Sequence, residues 1–440
     1  MGASLCRNPS AVRHSCLTLL LLSQAVVHAQ ERAPVGFTNL LVDSQLTGWH
    51  GRAGDIEPAK LAEATAEQRA AWTEEARTHF RLVDGVLEND GFGPFLTTDR
   101  EFGDFELLIE YAIDPTTDSG IYLRGMPQIQ IWDPENPAQR ENGNDMGSGG
   151  LWNNAANDPG KNPLVRADKP AGEWNAFRIK MIGERVWVWL NDQPLVVNAR
   201  LANYWDRSAP LPPRGPIQLQ THGGRIRWRN IFVREIGSEE ANSTLAEIAR
   251  ESAIPLFTGS NLDAWQGAMA DYTIEDGALM CLPERGGNLF TKESFGDFQV
   301  SLEISIPPGG NNGLLIRYPG SGNGAYDGMC ELQVIDTSID RHGELDPRQF
   351  HGSAYGMVPA ARGYLRPPGE WNFQVVTVRG SEIQVELNGT RILDADLSKV
   401  DSFMADSAHP GKDLREGFFG FAGHNDPVRF RNVYIRRWDP

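Results

Sequence analysis

Along most of this chain hydrophobic and polar side chains alternate with a period of two over short stretches, the pattern of strands that show one face to a core. Phe105 to Ile113, Ile121 to Arg124, Gln128 to Trp132, Phe177 to Ile182, Val186 to Leu190 and Ile226 to Arg234 read this way, each bounded by Gly, Pro, Asn or Asp. A second set follows in the same order: Phe298 to Ile306, Leu314 to Arg317, Glu331 to Ile335, Phe373 to Val378, Ile383 to Leu387 and Val428 to Arg436. Gly183 and Gly380 fall where hairpins would turn, and Asn388-Gly389 is a type I′ signal. Many short strands between turn signals predict an all-β chain of antiparallel sandwich or jelly-roll type. One passage breaks the period: Glu57 to Arg77, rich in Ala, Glu, Gln and Arg and preceded by Asp55 as a cap, predicts helix.

The two sets are copies. Glu101 to Gly125 (EFGDFELLIEYAIDPTTDSGIYLRG) lies over Ser294 to Tyr318 (SFGDFQVSLEISIPPGGNNGLLIRY) without a gap, at a constant offset of 193 positions. Gly-Glu-Trp-Asn at 172–175 recurs at 369–372, and IRWRNIFVR from Ile226 matches VRFRNVYIR from Val428, with His222 over His424. Leu40, Leu46, Trp49 and Gly51 fall on Leu256, Leu262, Trp265 and Gly267. Self-similarity at this spacing means two tandem domains of one fold, expected at 35–236 and 253–438. The segment between them, 237–252 (GSEEANSTLAEIARES), reads as a polar, acidic linker with a helical turn or two. The helical passage sits in an insertion of the first copy, between Gly51 and Phe80; the second copy gains a block between Arg317 and Glu331.

Composition adds an address. Arg7, Arg13 and His14 precede an apolar run from Leu17 to Val27 and a small-residue site at Val27-His28-Ala29, so residues 1–29 read as a signal peptide and the chain is expected to be exported, periplasmic or extracellular. The apolar run falls short of the ~20 residues of a membrane span. Losing the leader removes two arginines and no acid, taking the formal charge from −17 to −19. So acidic a chain argues against nucleic acid or an anionic membrane as partner, since both demand basic patches. Cys6 and Cys16 leave with the leader. Cys281 and Cys330, both in the second copy, remain as a disulfide permitted by an oxidising compartment or as two buried thiols.

The alternation also sorts candidate chemistry. In Gln128-Ile129-Gln130-Ile131-Trp132-Asp133 the isoleucines face one way and the glutamines and Trp132 the other; Glu331-Leu332-Gln333-Val334-Ile335-Asp336 repeats the arrangement with a glutamate first. Tyr122 and Arg124 share a face on the neighbouring strand, where Leu315 and Arg317 stand in the second copy, and Trp152 lies over Tyr355. Polar groups on adjacent strands beside aromatics are what a sugar site needs, hydrogen bonds to fixed groups and ring faces to stack on; the plainer reading is the solvated outer side of a sandwich. His222 and His424, just before the last strands, are of a residue type that serves as acid or base near neutrality. HExxH, CxxC, GxSxG and Walker loops are absent. A conventional glycosidase flanks the scissile bond with two carboxylates, and the first copy has Gln-x-Gln where this type of sandwich would carry them. Asp133, Asp145 and Asp158 offer oxygens for Ca²⁺ but lack EF-hand spacing, and no essential metal or cofactor is expected.

With these residues in view, FGDFELLIEY, DSGIYLRG, QIQIWD, GSGGLWNN, GEWNAFRIKMIGERVWVWLN and GPIQLQTHGGRIRWRNIFVREI resemble the 3-keto-disaccharide hydrolase domain, abundant in exported proteins of planctomycetes and Bacteroidetes. The second copy is similar more loosely, through LFTGSNLDAW, FGDFQVSLEISI, NNGLLIRY, CELQVID, HGSAYG, GEWN and VRFRNVYIR. The resemblance implies a concanavalin A-like jelly roll and cleavage of glycosides whose sugar ring carries a ketone at C3. Such a ketone acidifies the C2 proton, so one base can start elimination of the aglycone before water adds, which fits the missing carboxylate pair. Carried over residue by residue, it points to Arg124, Gln128, Gln130, Asp133 and His222 in the first copy and to Arg317, Glu331, Gln333, Asp336 and His424 in the second, with Tyr122, Trp152 and Tyr355 as further contacts to a carbohydrate ligand. His222 or Asp133 is the expected base of the first copy. Glu331 is that of the second, because relatives often show Tyr-Glu-x-Gln where the first copy has Pro-Gln-x-Gln. The Gln128 substitution keeps open an alternative, a glycan-binding protein without catalysis.

Overall fold

Antiparallel pairing takes up the alternating segments in both halves, and it does so in the same strand order twice. The computed structural model describes residues 1–2, 32–54, 56–126 and 128–438; most of the signal-peptide reading and the Asp55 cap lie outside the described residues. In the first half one sheet runs Gln193–Arg200, Arg185–Leu190, Asn175–Ile182, Phe105–Ile113, Ile226–Glu235, Val86–Asn89, Phe80–Val83, with Thr38–Asn39 added against Ile226–Glu235. Facing it is a five-stranded sheet, Trp49–Arg52, Phe95–Thr98, Gln218–Leu219, Asp118–Tyr122, Gln128–Trp132. The second half repeats both. Its smaller sheet runs Trp265–Gly267, Asn288–Phe295, Gly417–Gly423, Asn311–Tyr318, Cys330–Ile335. The protein is thus two tandem jelly-roll β-sandwiches.

Each core lies between its two sheets. Ile129 and Ile131 enter the first core beside Ile121, Leu219 and Trp228, while Leu332 and Val334 do the same in the second beside Leu314 and Phe421. The repeated tryptophans have one job in both: Trp49 donates its indole N–H to the Leu40 carbonyl at 2.7 Å, and Trp265 donates to that of Leu256 at 2.8 Å. A large ring is buried and its polar atom is satisfied. Cys281 and Cys330 are separate buried thiols, not a disulfide. Burial pushes the Cys281 thiol up to about 11.

The helical insertion forms two helices, Pro58–Glu63 and Ala66–His79, rather than one. Ala64 is extended, and Thr65 restarts the helix with a capping box, its hydroxyl accepting from the Gln68 N–H while the Gln68 side chain accepts from its own. The longer helix packs on the edge strand Trp49–Arg52 of the five-stranded sheet. A Cβ at Gly51 would stand 2.0 Å from the Trp72 carbonyl oxygen, so only glycine lets the helix lie this close. An otherwise open sheet edge is covered.

The expected linker is more ordered than a turn or two. Ser238–Ala249 is a 12-residue helix that buries Ala241, Leu245 and Ala246 against Ile182 and Trp187 of the first half and Phe373 of the second. Beside it, Arg185 and Arg200 of the first half both pair with Glu386 of the second, Arg200 at 2.9 Å. Burial by itself would raise the Glu386 carboxyl, but Arg185 and then Arg200 hold it below the usual range. The two sandwiches are joined through their larger sheets.

Candidate functional site

The site of the first half is built on the non-core face of its five-stranded sheet. Because Ile129 and Ile131 point into the core, Gln128, Gln130 and Trp132 must point away from it, yet they are only 5%, 3% and 5% exposed. Loops roof them over. Gln139, Asn142, Trp152, Asn153 and Tyr204 close around the strands and, with Asp118, Tyr122, Gln220 and His222, line a pocket of about 300 Å³. The solvated outer face that alternation permits is here a covered, polar chamber.

Hydrogen bonds fix its floor. The Gln130 amide donates to Asp118 Oδ1 at 2.7 Å, and Gln128 donates to Gln130 Oε1 at 3.2 Å. His222 Nδ1 lies 3.4 Å from Asp118 Oδ2, which turns the imidazole's other nitrogen away from the carboxylate. The Gln220 amide reaches the Tyr122 hydroxyl at 3.5 Å. Gln128 Oε1 and Gln220 Oε1 are buried without a donor among the described residues and converge over Gly120, where a Cβ would lie 2.0 and 3.1 Å from them. Trp132 and Trp152 meet edge to face at 5.2 Å, and Lys161 sits 4.0 Å over the Trp152 ring, its ammonium pKa lowered first by burial and then by Arg207.

The second half carries the same scaffold with its charge moved. Gln333 donates to Asn311 Oδ1 at 2.6 Å, as Gln130 does to Asp118, but the partner is now neutral. The carboxylate stands instead on Glu331, whose Oε1 is 3.5 Å from His424 Nε2. The Glu331 side chain lies across Gly313 as Gln128 lies across Gly120. His424 is held above the usual imidazole range, chiefly by its hydrogen bond to Glu331 and against the cost of burial. Tyr355 takes the place of Trp152, its N–H donating to the Glu331 carbonyl at 2.9 Å and its ring meeting Tyr326 edge on at 6.4 Å.

Thus Tyr122, Gln128, Gln130, Trp152 and His222 come together in one pocket, and Glu331, Gln333, Tyr355 and His424 on the equivalent face. Arg124 and Arg317 do not join them. Both have left-handed backbone, φ +52° and +47°, which ends the strand alternation and turns the side chain inward. Arg124 is spent on the Gly103 and Pro212 carbonyls and Asp104; Arg317, fully buried, on those of Gly296, Gly380 and Leu414 and on Asp297. Their recurrence reflects a shared structural task. Asp133 accepts the Thr116 and Glu135 N–H groups, and Asp336 those of Gly309 and Ser338, so both pin loops at strand ends outside the histidine site. Asp145 lies 3.5 Å from Arg140 and Asp158 accepts the Ala155 N–H, so neither joins Asp133.

Asp118, Gln220 and Tyr204 are pocket residues that strand alternation does not single out. Asp118 carried a signal: the gapless repeat sets it over Asn311, while Gln128 lies over Glu331, a reciprocal exchange of acid and amide. Gln220 and Tyr204 carried none, being brought in by a two-residue strand and a long loop.

The sequence profile of a 3-keto-alpha-glucoside-1,2-lyase-like domain matches residues 36–234 and 252–436. A 3-keto-disaccharide hydrolase of Bacteroides thetaiotaomicron is 24% identical over 249 residues, 47% of this chain and 86% of that protein. Among solved structures, a Parabacteroides distasonis protein provisionally named a glycosyl hydrolase is similar at 26% identity and a TM-score of 0.39, covering 43% of this chain and 100% of its own. A carbohydrate-binding module of Bacillus subtilis is similar at 16% identity and a TM-score of 0.27, over 41% of this chain and 96% of the module.

Proposed function

This chain belongs to the 3-keto-alpha-glucoside-1,2-lyase-like family in both halves and is carbohydrate-active, and from that premise we propose that it cleaves 3-keto-glycosides by proton abstraction at C2. The observation that carries the reading is that each half sets one histidine against one carboxylate among uncharged amides and aromatic rings. A conventional glycosidase needs two carboxylates ~5–9.5 Å apart on either side of the bond. One acid–base pair is enough when a C3 ketone acidifies the C2 proton.

In the first half His222 is the base. Asp118 engages Nδ1, which leaves Nε2 as the proton acceptor, whereas Asp133 accepts two backbone N–H groups and does not line the pocket, which supports His222 over it. In the second half Glu331 is the base, oriented by His424. As the base takes the C2 proton, the C2–H electron pair becomes the C1=C2 bond. The C1–O bond breaks, and the aglycone oxygen leaves with that bonding pair and gains a proton. Water then adds across C1=C2, its hydroxyl to C1 and its proton to C2, giving the free 3-keto sugar. Tyr122 lines the same pocket, and its hydroxyl is the donor assigned to the developing enolate. The basic and apolar leader supports export, which would put the reaction outside the cytoplasm.

The test is incubation of the mature protein with a 3-keto-glucoside and with its non-oxidised parent in D₂O, followed by NMR. Release from the keto substrate alone, with deuterium at C2, is expected. Saturable shifts of the sugar signals with neither release nor exchange would replace this reading by glycan binding, which the neutral Gln128 in the first half favours as the second reading.

A further inference from the structure

Away from both histidine sites, a cavity of the second half stands where the first half carries a carboxylate. The loop 361–368 lies over 164–171: the Ala361 N–H donates to the Ile392 carbonyl as that of Leu164 does to Leu195, and the Arg366 N–H reaches Asn372 Oδ1 as the Lys169 N–H reaches Asn175 Oδ1. In this register Val165 becomes Arg362, Ala167 becomes Tyr364 and Asp168 becomes Leu365. Gly352 donates to the Gln333 carbonyl as Gly149 does to that of Gln130, which sets Phe350 over Gly147. In the first half Asp168 accepts the Ser148 N–H at 3.0 Å and packs on Gly147, where a Cβ would lie 2.4 Å from the carboxylate. In the second half a cavity of about 720 Å³ is lined by Phe350, Tyr364, Leu365, Pro367 and Leu387 together with Arg362 and Arg366. Glu331, Gln333, Tyr355 and His424 do not line it.

Neither arginine has a carboxylate partner among the described residues. Arg362 lays its guanidinium 3.4 Å over the Phe350 ring, a stacking that leaves the edge of its planar donor fork for an anion. Arg366 donates to Asn242 Oδ1 at 2.6 Å and to the Trp371 carbonyl, and its Nη2 is buried without an acceptor among the described residues. Burial lowers its pKa, and Asp104 offsets this only in part. The acid of the lining, Asp336, already accepts the Gly309 and Ser338 N–H groups. Two cations without acids, in a chain of formal charge −17, stand here beside aromatic and aliphatic walls. We propose that this cavity binds a small aromatic carboxylate, its ring against Phe350 and Tyr364 and its carboxylate on Arg362, with Arg366 as the second cation. A sugar acid would leave its hydroxyls unpaired against Leu365, Pro367 and Leu387, and an uncharged arene would leave the arginines without an anion. The loop that supplies the site also spans the domain junction, since the Tyr364 hydroxyl donates to the Leu211 carbonyl of the first half at 2.9 Å.

The experiment titrates the full chain with phenylacetate, its methyl ester and glucuronate, followed by isothermal calorimetry and saturation-transfer NMR. Saturable binding of phenylacetate is expected, about tenfold weaker for the ester and in Arg362→Gln, as the loss of one charge-assisted contact gives. Leu365→Asp, which restores the acid of the first half, should weaken it at least as much. Arg362 is exposed, so its substitution leaves the core alone, and circular dichroism on both variants checks the fold. Binding should persist in a chain carrying His222→Ala and Glu331→Gln; its loss there would place the acid in a histidine site and overturn the proposal. No saturable binding of phenylacetate at millimolar concentration, equal affinity for the ester, or glucuronate bound as tightly would each overturn it too.

Discussion

At position 118 a carboxylate faces a histidine, and at its counterpart 311 an asparagine stands in its place, while an amide at 128 becomes a carboxylate at 331. The acid has moved one strand over, and the imidazole has exchanged the nitrogen it presents, Nδ1 in the first half and Nε2 in the second. Asp118 therefore orients His222. With the second half silenced by Glu331→Gln, Asp118→Asn is expected to lower turnover by about 10²-fold through loss of ring orientation and basicity, measured as kcat/KM for a 3-keto-disaccharide. The same Glu331→Gln should let His424 fall toward its ordinary pKa, read from its imidazole proton shifts against pH. A raised histidine pKa adds stability that is fully present below the unfolded value of 6.5 and fades as pH rises through the folded one, so the wild-type advantage should vanish on the alkaline side. His351 has the opposite sign. Its Nε2 meets Gln374 at 3.0 Å deep in the second sandwich, and burial lowers it from 6.5 to about 4. The unfolded chain takes up its proton first, so the second domain should lose about 3 kcal/mol as pH falls from 6.5 to 4. His351→Ser, the residue the first half carries at 148, should flatten that limb of the melting-temperature profile.

Elements show where alternation is a sound guide and where it stops. The strands Phe105–Ile113 and Gln128–Trp132 have the bounds their pattern indicates, because each has one face wholly in the core. Ile121 to Arg124 fails at its last two residues, since the left-handed backbone at Arg124 removes the basis of the period. Short edge elements such as Trp49–Arg52 show too few residues for any period. That strand is held instead by the inserted helix, through Gly51. Gly51→Ala would force the strand off the Trp72 carbonyl and is expected to cost about 2–3 kcal/mol, as overpacking does. Thr65→Ala should cost about 1 kcal/mol by loss of the helix cap. Chemical denaturation of the two variants measures both.

The whole molecule is two sandwiches tied back to back by a helix and an ion cluster. Glu386 is the hinge of that cluster, receiving Arg185 and Arg200 from the other domain. Glu386→Ala leaves Arg185 partly buried without its carboxylate and Arg200 with Glu184 alone, and removing one partner of a buried pair costs about 3–5 kcal/mol. Calorimetry is expected to show the unfolding endotherm shift down and separate into two transitions as the domains lose their coupling. Turnover at saturating substrate should persist, since both smaller sheets lie on the far sides of their sandwiches.

By itself the sequence determined that there are two copies of one all-β domain, where the first is interrupted by a helical insertion, and which of its faces carry glutamine, tryptophan and histidine. These follow from periodicity and self-similarity, which are local and survive in a linear string. Only the tertiary structure decided which polar residues meet. It buried Arg124 and Arg317 as loop anchors, set Asp133 and Asp336 to capping turns, and brought Asp118, Gln220 and Tyr204 to His222 from separate strands and loops. It also made the linker a packed helix, because Ala241 and Leu245 find apolar partners only once both sandwiches are folded. A side chain's period fixes the face it shows, but its hydrogen-bond partner is chosen by what the rest of the chain places within ~3 Å.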